Sequence, residues 1–329
     1  MINVAINGFG RIGRTFFKLA AQNPALKIVA VNDIAQGEVL AHLLKYDSIQ
    51  TVTEKNVFFK NECLQYGTLI VPLFHNSKVI DNPWKLLNVD VVVDCTGKYL
   101  TIDALQPHIS AGAKRVILSA PPNDDIKSVV IGVNHSILNS NDTIVSNASC
   151  TTNNAAPMIK VLDDLYGVKS AYITTVHSYT SDQRLVDSPH KDFRRARAAA
   201  VSIIPTTTGA AKAISKIFPH LQSKLGGSGI RVPVSNGSLT DITCIVERDA
   251  NVSDINNCFL NASQNELKGI LEYTNEPIVS VDVIGNTSSC IFDSQLTSVI
   301  GNMVKIVGWY DNEMGYSSRL VDLILLINK

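Results

Sequence analysis

The feature that most constrains this chain lies within its first twenty residues. Ile2-Asn3-Val4-Ala5-Ile6-Asn7 is a mostly apolar run, the pattern of a strand buried on both faces of a parallel sheet. It leads into Gly8-Phe9-Gly10-Arg11-Ile12-Gly13, which fits G-x-G-x-x-G, and then into Ile12, Phe16, Phe17, Leu19 and Ala20 at helical spacing. Glycines in such a turn let the backbone approach a pyrophosphate, and the helix N-terminus that follows stabilises its charge. Strand, glycine turn and helix together predict an α/β chain whose first domain binds a dinucleotide, with Gly8, Gly10 and Gly13 against it.

The next elements extend that unit. A strand at 27–31 ends in Asn32-Asp33, and Asp33 lies 20 residues past Gly13, where an acidic side chain accepts from the adenosine ribose hydroxyls. Its charge repels a 2′-phosphate, so the expected cofactor is NAD rather than NADP. Residues 40–44 read as a short helix and 50–80 as short antiparallel strands. A buried strand at 89–94 closes on Cys95-Thr96-Gly97, small residues that leave room for the cofactor, with Thr96 beside it. A helix at 102–113 and a strand at 114–118 ending in Ser119 follow. The repeated β-α-β order assigns 1–149 to a Rossmann nucleotide-binding domain. His42, His75 and His108 have no partner that the sequence identifies, and read as structural or surface residues.

Past that point the pattern changes. Ser149-Cys150-Thr151-Thr152-Asn153-Asn154 precedes apolar residues at helical spacing (Met158, Ile159, Val161, Leu162, Leu165). A thiol in the first turn of a helix feels the positive end of the macrodipole, which favours the thiolate, the nucleophilic form. Pro157 opposes this, because proline prefers the first helical position and would start the helix at Ala156. A buried, inert thiol is the competing reading. Residues 168–176 alternate as a long strand ending in His177, a candidate partner for the cysteine. Strand patterns at 230–234, 239–247, 278–283 and 304–309, with helices at 209–218 and 253–262, predict an α+β second domain over 150–313 with a mostly antiparallel sheet. The run 191–197 is locally cationic and reads equally as an anion site or as a solvated or subunit-contact surface. Arg231, inside an apolar strand, calls for an anionic partner. Thr206-Thr207-Thr208-Gly209 opens a helix suited to phosphate. A terminal helix at about 314–329 is expected to pack back onto the first domain and bring Asn312 to the cofactor.

Composition removes several function classes. The 29 basic and 29 acidic residues cancel, so no general field draws in nucleic acid or an anionic membrane, and any anion site is local. Six scattered cysteines without a C-x-x-C pair predict neither a zinc site nor a disulfide framework. No basic n-region precedes the first strand and no apolar run reaches membrane length, so the expected location is the cytoplasm.

Residues 6–14, 40–48, 149–153, 177–184, 202–213 and 309–316 resemble phosphorylating glyceraldehyde-3-phosphate dehydrogenases, almost letter for letter in several blocks. The resemblance implies a homotetramer of subunits that pair a Rossmann domain with a catalytic domain. It implies NAD-dependent conversion of D-glyceraldehyde 3-phosphate and inorganic phosphate to 1,3-bisphosphoglycerate, with Cys150 as nucleophile and His177 as base. Arg11 and Ile12 would cradle the pyrophosphate, Asp33 the ribose, and Ser119 would lie beside the cofactor. Asn312 would hold the nicotinamide carboxamide, in a block that ends at Tyr316, a further cofactor residue. Ser149, Thr151, Thr208 and Gly209 would form the inorganic-phosphate site, and Thr180, Arg195 and Arg231 would contact the substrate phosphate. The chain departs from the family pattern at Asn154, where many members carry a second cysteine, at Met314, at 234–237, and at Ser188 and Ser77. Erythrose-4-phosphate dehydrogenase, which hydrolyses its thioester, and a catalytically retired nucleotide-binding scaffold are the rival readings. The Ser178-Tyr179-Thr180 and Thr206-Thr207-Thr208-Gly209 blocks favour the phosphorylating enzyme.

Overall fold

Short β-branched runs alternating with amphipathic segments build the first half of the chain. The computed structural model describes residues 1–51 and 54–328. Val52 and Thr53, within the stretch read as antiparallel strands, and Lys329, read as the end of the terminal helix, lie outside the described residues. Contacts divide the chain into two units. One comprises 1–129, 135–149 and the residues from Ser317 onward; the other comprises 130–134 and 150–316.

The first unit runs β1 (Ile2–Asn7), α1 (Arg11–Gln22), β2 (Leu26–Asn32), α2 (Gly37–Lys45), β3 (Val57–Lys60), β4 (Cys63–Tyr66), β5 (Leu69–Phe74), β6 (Val91–Asp94), α3 (Ile102–Ser110), β7 (Arg115–Leu118), β8 (Lys127–Ser128) and β9 (Ile144–Ser146). They form one sheet in the order β3-β4-β5-β2-β1-β6-β7-β9-β8. From β5 to β8 all neighbours are parallel, while β3, β4 and β5 form an antiparallel meander. The central strands are mostly apolar and buried: Val4, Ala5, Ile6, Val91, Val92 and Val93 have no exposed surface. Register brings Asn7 level with Asn32 on one side and Asp94 on the other, so three polar residues meet at the carboxyl ends of β1, β2 and β6. The chain's last turn belongs to this unit, where Arg115 donates to Asn328 at 3.0 Å.

The second unit runs α4 (Cys150–Tyr166), β10 (Val168–Ser178), β11 (Ile204–Thr206), α5 (Ala210–Ile217), β12 (Leu225–Val232), β13 (Ser238–Val246), α6 (Val252–Gln264), β14 (Leu271–Thr274), β15 (Cys290–Asp293), β16 (Ser298–Ile300), β17 (Met303–Tyr310) and the start of α7 (Met314–Ile327). Its sheet follows β11-β12-β10-β13-β17-β15-β14, mostly antiparallel, with parallel pairs at β10/β12 and β14/β15. Met158, Leu162, Ile214 and Phe259 from the helices pack on Ile173, Ile242, Phe292 and Ile306 from the strands.

One local alternative and one local expectation fail here. The helix starts at Cys150 and carries Pro157 in its interior, so the proline does not mark its beginning. Asn154, one turn before the proline, ties that part of the helix to its surroundings by donating from Nδ2 to the carbonyls of Ser289, Gly308 and Trp309. Residues 278–283 form no strand. Asp282 accepts the Val279 N–H at 2.7 Å and closes a single 3-10 turn, with Val279 and Val281 exposed. The strands of that region are β14 and β15 instead.

Candidate active site

The glycine turn is tight for a visible reason. Gly8 has φ of +92°, and a Cβ there would stand 2.7 Å from the Thr96 nitrogen; a Cβ on Gly13 would stand 2.2 Å from the Gly8 carbonyl oxygen. Gly10 instead faces open space. It caps α1 without any side-chain cap or acidic residue in the first turn, so the helix presents its N–H groups to an anion. Beside it opens a cleft of about 280 Å³, lined by Gly8, Gly10, Asp33, Asn76, Ser77 and Thr96 among others. A dinucleotide fits this cradle, closed behind by backbone and open at Gly10. Asp33 joins the turn to the second strand: Oδ2 accepts the Phe9 N–H at 2.6 Å and Oδ1 the Ala35 N–H at 2.9 Å. Each oxygen keeps acceptor capacity for a ribose hydroxyl. Arg11 turns its guanidinium to Asp47 at 2.8 Å, which leaves the backbone as the contribution of 11–12 to a pyrophosphate. Ser119 donates its N–H to the Asp94 carbonyl at 2.9 Å and is not among the cleft-lining residues.

In the second unit, the parallel register of β10 and β12 sets His177 directly beside Arg231. Cys150 opens α4 after Ala148, a non-glycine residue at φ +54° that turns the chain sharply. Its Sγ lies 3.5 Å from His177 Nε2. On the far side of the ring, Nδ1 lies 2.8 Å from the Ser178 carbonyl oxygen and 2.9 Å from Arg231 Nη1, which also donates to that carbonyl at 2.9 Å. Burial pushes the Cys150 thiol above its ordinary value, while the Arg231 cation and the Thr151 N–H pull it down. The sequence expectation of a thiolate favoured by the helix terminus alone therefore misses the burial, which is the larger influence. Burial and Arg231 also hold His177 down to about 3, so the ring is a neutral acceptor. Thr151 Oγ1 bonds the Tyr310 hydroxyl at 3.0 Å. Asn312 Oδ1 accepts from Ser178 and Ser238 at 2.9 and 2.8 Å, which joins it to the same hydrogen-bonded group.

The remaining anion candidates occupy the stretch before α5. Arg195 donates to Thr206 Oγ1 at 2.9 Å and is ion-paired with Asp182. Gly209 caps α5, and Thr208 Oγ1 accepts the Ala210 N–H. The Thr180 N–H donates to Gln183. Ser149 is half-buried immediately before the helix, and Tyr316 is buried in its last residues before Ser317.

Comparison with known proteins supplies the name that this geometry suggests. Residues 2–102 match the glyceraldehyde 3-phosphate dehydrogenase NAD binding domain, and 149–312 match the C-terminal domain of the same enzyme. The chain belongs to the glyceraldehyde-3-phosphate dehydrogenase family. It is 49% identical to a Mycobacterium avium protein named glyceraldehyde-3-phosphate dehydrogenase, over all of this chain and 99% of the relative. It is 47% identical to glyceraldehyde-3-phosphate dehydrogenase 2 of Streptomyces avermitilis, over 99% of this chain and 98% of the relative. The family's N-terminal domain makes NAD the cofactor. Several participants escaped the sequence. Asn7, Asn32, Asn76 and Tyr99 line the cleft beside the glycine turn, and His108 and His75, for which the sequence identified no partner, bond Asp94 and the Asp33 carbonyl. The signal that finds Asn7 and Asn32 is their place as the last residue of a buried strand.

Proposed function

We propose that this enzyme oxidises D-glyceraldehyde 3-phosphate to 1,3-bisphosphoglycerate, with NAD as oxidant and inorganic phosphate as second substrate. The observation that carries the reading is Cys150 at the head of α4 with its sulfur 3.5 Å from a neutral His177 Nε2 and Arg231 behind the ring. As the sulfur attacks the aldehyde carbon, its proton passes to His177, which returns it to the oxygen and gives a hemithioacetal on Cys150. His177 then takes the hydroxyl proton as the carbon is oxidised to the thioester. NAD, when bound, accepts the hydride from that carbon. Inorganic phosphate attacks the thioester carbon, the carbon–sulfur bond breaks, and Cys150 leaves as the thiolate, which takes back the proton held on His177.

Arg231, Arg195 and Thr180 hold the substrate phosphate in this reading. Ser149, Thr151, Thr208 and Gly209 hold the inorganic phosphate, supported by the helix N-termini at Cys150 and Ala210. Gly8, Gly10, Arg11, Ile12, Gly13, Asp33 and Thr96 serve NAD, with Asn312 and Tyr316 at its nicotinamide end; Ser119 lies outside the cleft lining and is not in this set. A homotetramer accompanies the activity: Leu185, Val186, Phe193, Val201 and Ile203 stand 70–88% exposed within one stretch, an apolar surface that another copy can cover. The free state of all six cysteines supports a reducing cytoplasm.

NADH formation from glyceraldehyde 3-phosphate, with and without inorganic phosphate, tests the assignment, with erythrose 4-phosphate as the competing substrate. Turnover that ignores phosphate rejects the phosphorylating reaction. Cys150→Ser is expected to bind NAD normally and lose turnover; retained activity removes the cysteine as nucleophile.

A further inference from the structure

The NAD cleft rests on a buried polar chain that none of these steps uses. Trp84, Asp94 and His108 have no exposed surface. Trp84 Nε1 donates to His108 Nδ1 at 3.0 Å. An indole nitrogen can only donate, so Nδ1 accepts and the ring proton sits on Nε2, 3.2 Å from Asp94 Oδ2. Asn7 Nδ2 donates to the same oxygen at 2.7 Å. Asp94 Oδ1 accepts the Thr96 N–H at 3.1 Å and the Thr96 hydroxyl at 2.6 Å. At the other end, the Asn76 backbone orients Asn32: its N–H donates to Oδ1 at 2.9 Å and its carbonyl accepts from Nδ2 at 3.1 Å. Asn32 Nδ2 is therefore the donor to Asn7 Oδ1 at 2.8 Å, which turns Asn7 Nδ2 towards Asp94. Three groups that cannot reverse, the Trp84 indole and the peptide groups of Asn76 and Thr96, thus fix every donor and acceptor in the chain.

We propose that Asp94 and His108 are positioning residues for NAD, which hold Asn7, Asn32 and Thr96 in one hydrogen-bond polarity at the floor of the cleft. The proposal rests on the reading of that cleft as the NAD site. Asn7, Asn32, Asn76 and Thr96 line it, whereas Asp94 and His108 stand behind them. Reversing either amide would exchange N–H for oxygen on the surface that meets the dinucleotide. Asp94→Asn forces such a conflict in both orientations: an amide N–H opposes the Thr96 N–H in one, and the Asn7 and His108 donors in the other.

The test is NAD affinity by calorimetry on the full-length enzyme, with kcat at saturating NAD and the aldehyde KM measured alongside. His108→Leu and Asp94→Asn are expected to weaken NAD by about tenfold, with kcat and the aldehyde KM within about twofold of the wild type. His108→Gln, whose amide can still donate to Asp94, is expected to stay within about threefold. Wild-type NAD affinity in His108→Leu overturns the proposal, as does equal loss in the Leu and Gln variants, which is the result of a purely structural role. Should His108→Leu fail to fold, Trp84→Phe asks the same question by freeing the ring to change tautomer; unchanged NAD affinity there also overturns the proposal. A wild type that does not bind NAD at all rejects the cofactor assignment and this role with it.

Discussion

At Cys150 four influences act on one proton. Burial opposes ionisation, Arg231 and the Thr151 N–H favour it, and His177 Nε2 waits 3.5 Å away to receive the proton. The sign of a substitution follows. Arg231→Met removes a cation that stabilises the thiolate, so the thiol midpoint rises, and the pH profile of Cys150 alkylation by iodoacetamide in the absence of substrate moves to higher pH. A profile that stays put or moves to lower pH contradicts the electrostatic role. Asp33 works by the opposite charge. Replacing it with glycine removes the carboxylate that would face a 2′-phosphate, and NADP kcat/KM is expected to rise by about tenfold or more while NAD kcat/KM falls. Unchanged selectivity would count against the ribose contact. The sequence pointed to an anionic partner for a lone arginine in an apolar strand and to a ribose for an aspartate at a strand end, but not to the thiol beside Arg231. Neither showed the neighbour that matters most, His177 for Arg231 and the Phe9 N–H for Asp33.

Helix α4 is the element on which the thiol depends, and it keeps its first turns despite Pro157. The proline removes one intrahelical donor, and the three carbonyl contacts from Asn154 tie that part of the helix to β17 and to Ser289. Asn154→Ala is expected to cost about 2 kcal/mol, since buried carbonyls lose their donor, and to lower Tm by about 4–8 °C for a unit of this size. A thermal scan that moves by less than a degree would show that core packing alone holds the helix. The apolar spacing after Cys150 pointed to a helix start near it, against the signal of Pro157, but the contacts that hold the start come from residues more than a hundred positions away. The same limit explains 278–283, whose β-branched residues suit a strand but meet no partner, while Asp282 supplies a closer acceptor for the backbone.

For the molecule as a whole, the exposed apolar side chains at 185–203 carry the quaternary prediction. Phe193→Asp combined with Leu185→Asp is expected to shift sedimentation from a species of four times the 35.7 kDa subunit mass towards smaller ones. A wild type that sediments as a single subunit at micromolar concentration would contradict the tetramer. What the amino-acid order determined unaided is whatever depends on neighbours in the chain: the glycine turn between strand and helix, the apolar runs of a parallel sheet, and Asp33 at its fixed distance from Gly13. Backbone sterics and periodic burial act over a few residues, so their marks survive in a linear text. Tertiary structure alone decided the rest. It set His177 beside Arg231 through strand register, half-buried the nucleophile so that its thiol is raised, and joined Trp84 to Asn76 through a chain of hydrogen bonds. Each of these is a contact across long sequence separation, in which desolvation and hydrogen-bond geometry are properties of the folded surroundings and of no single stretch of sequence.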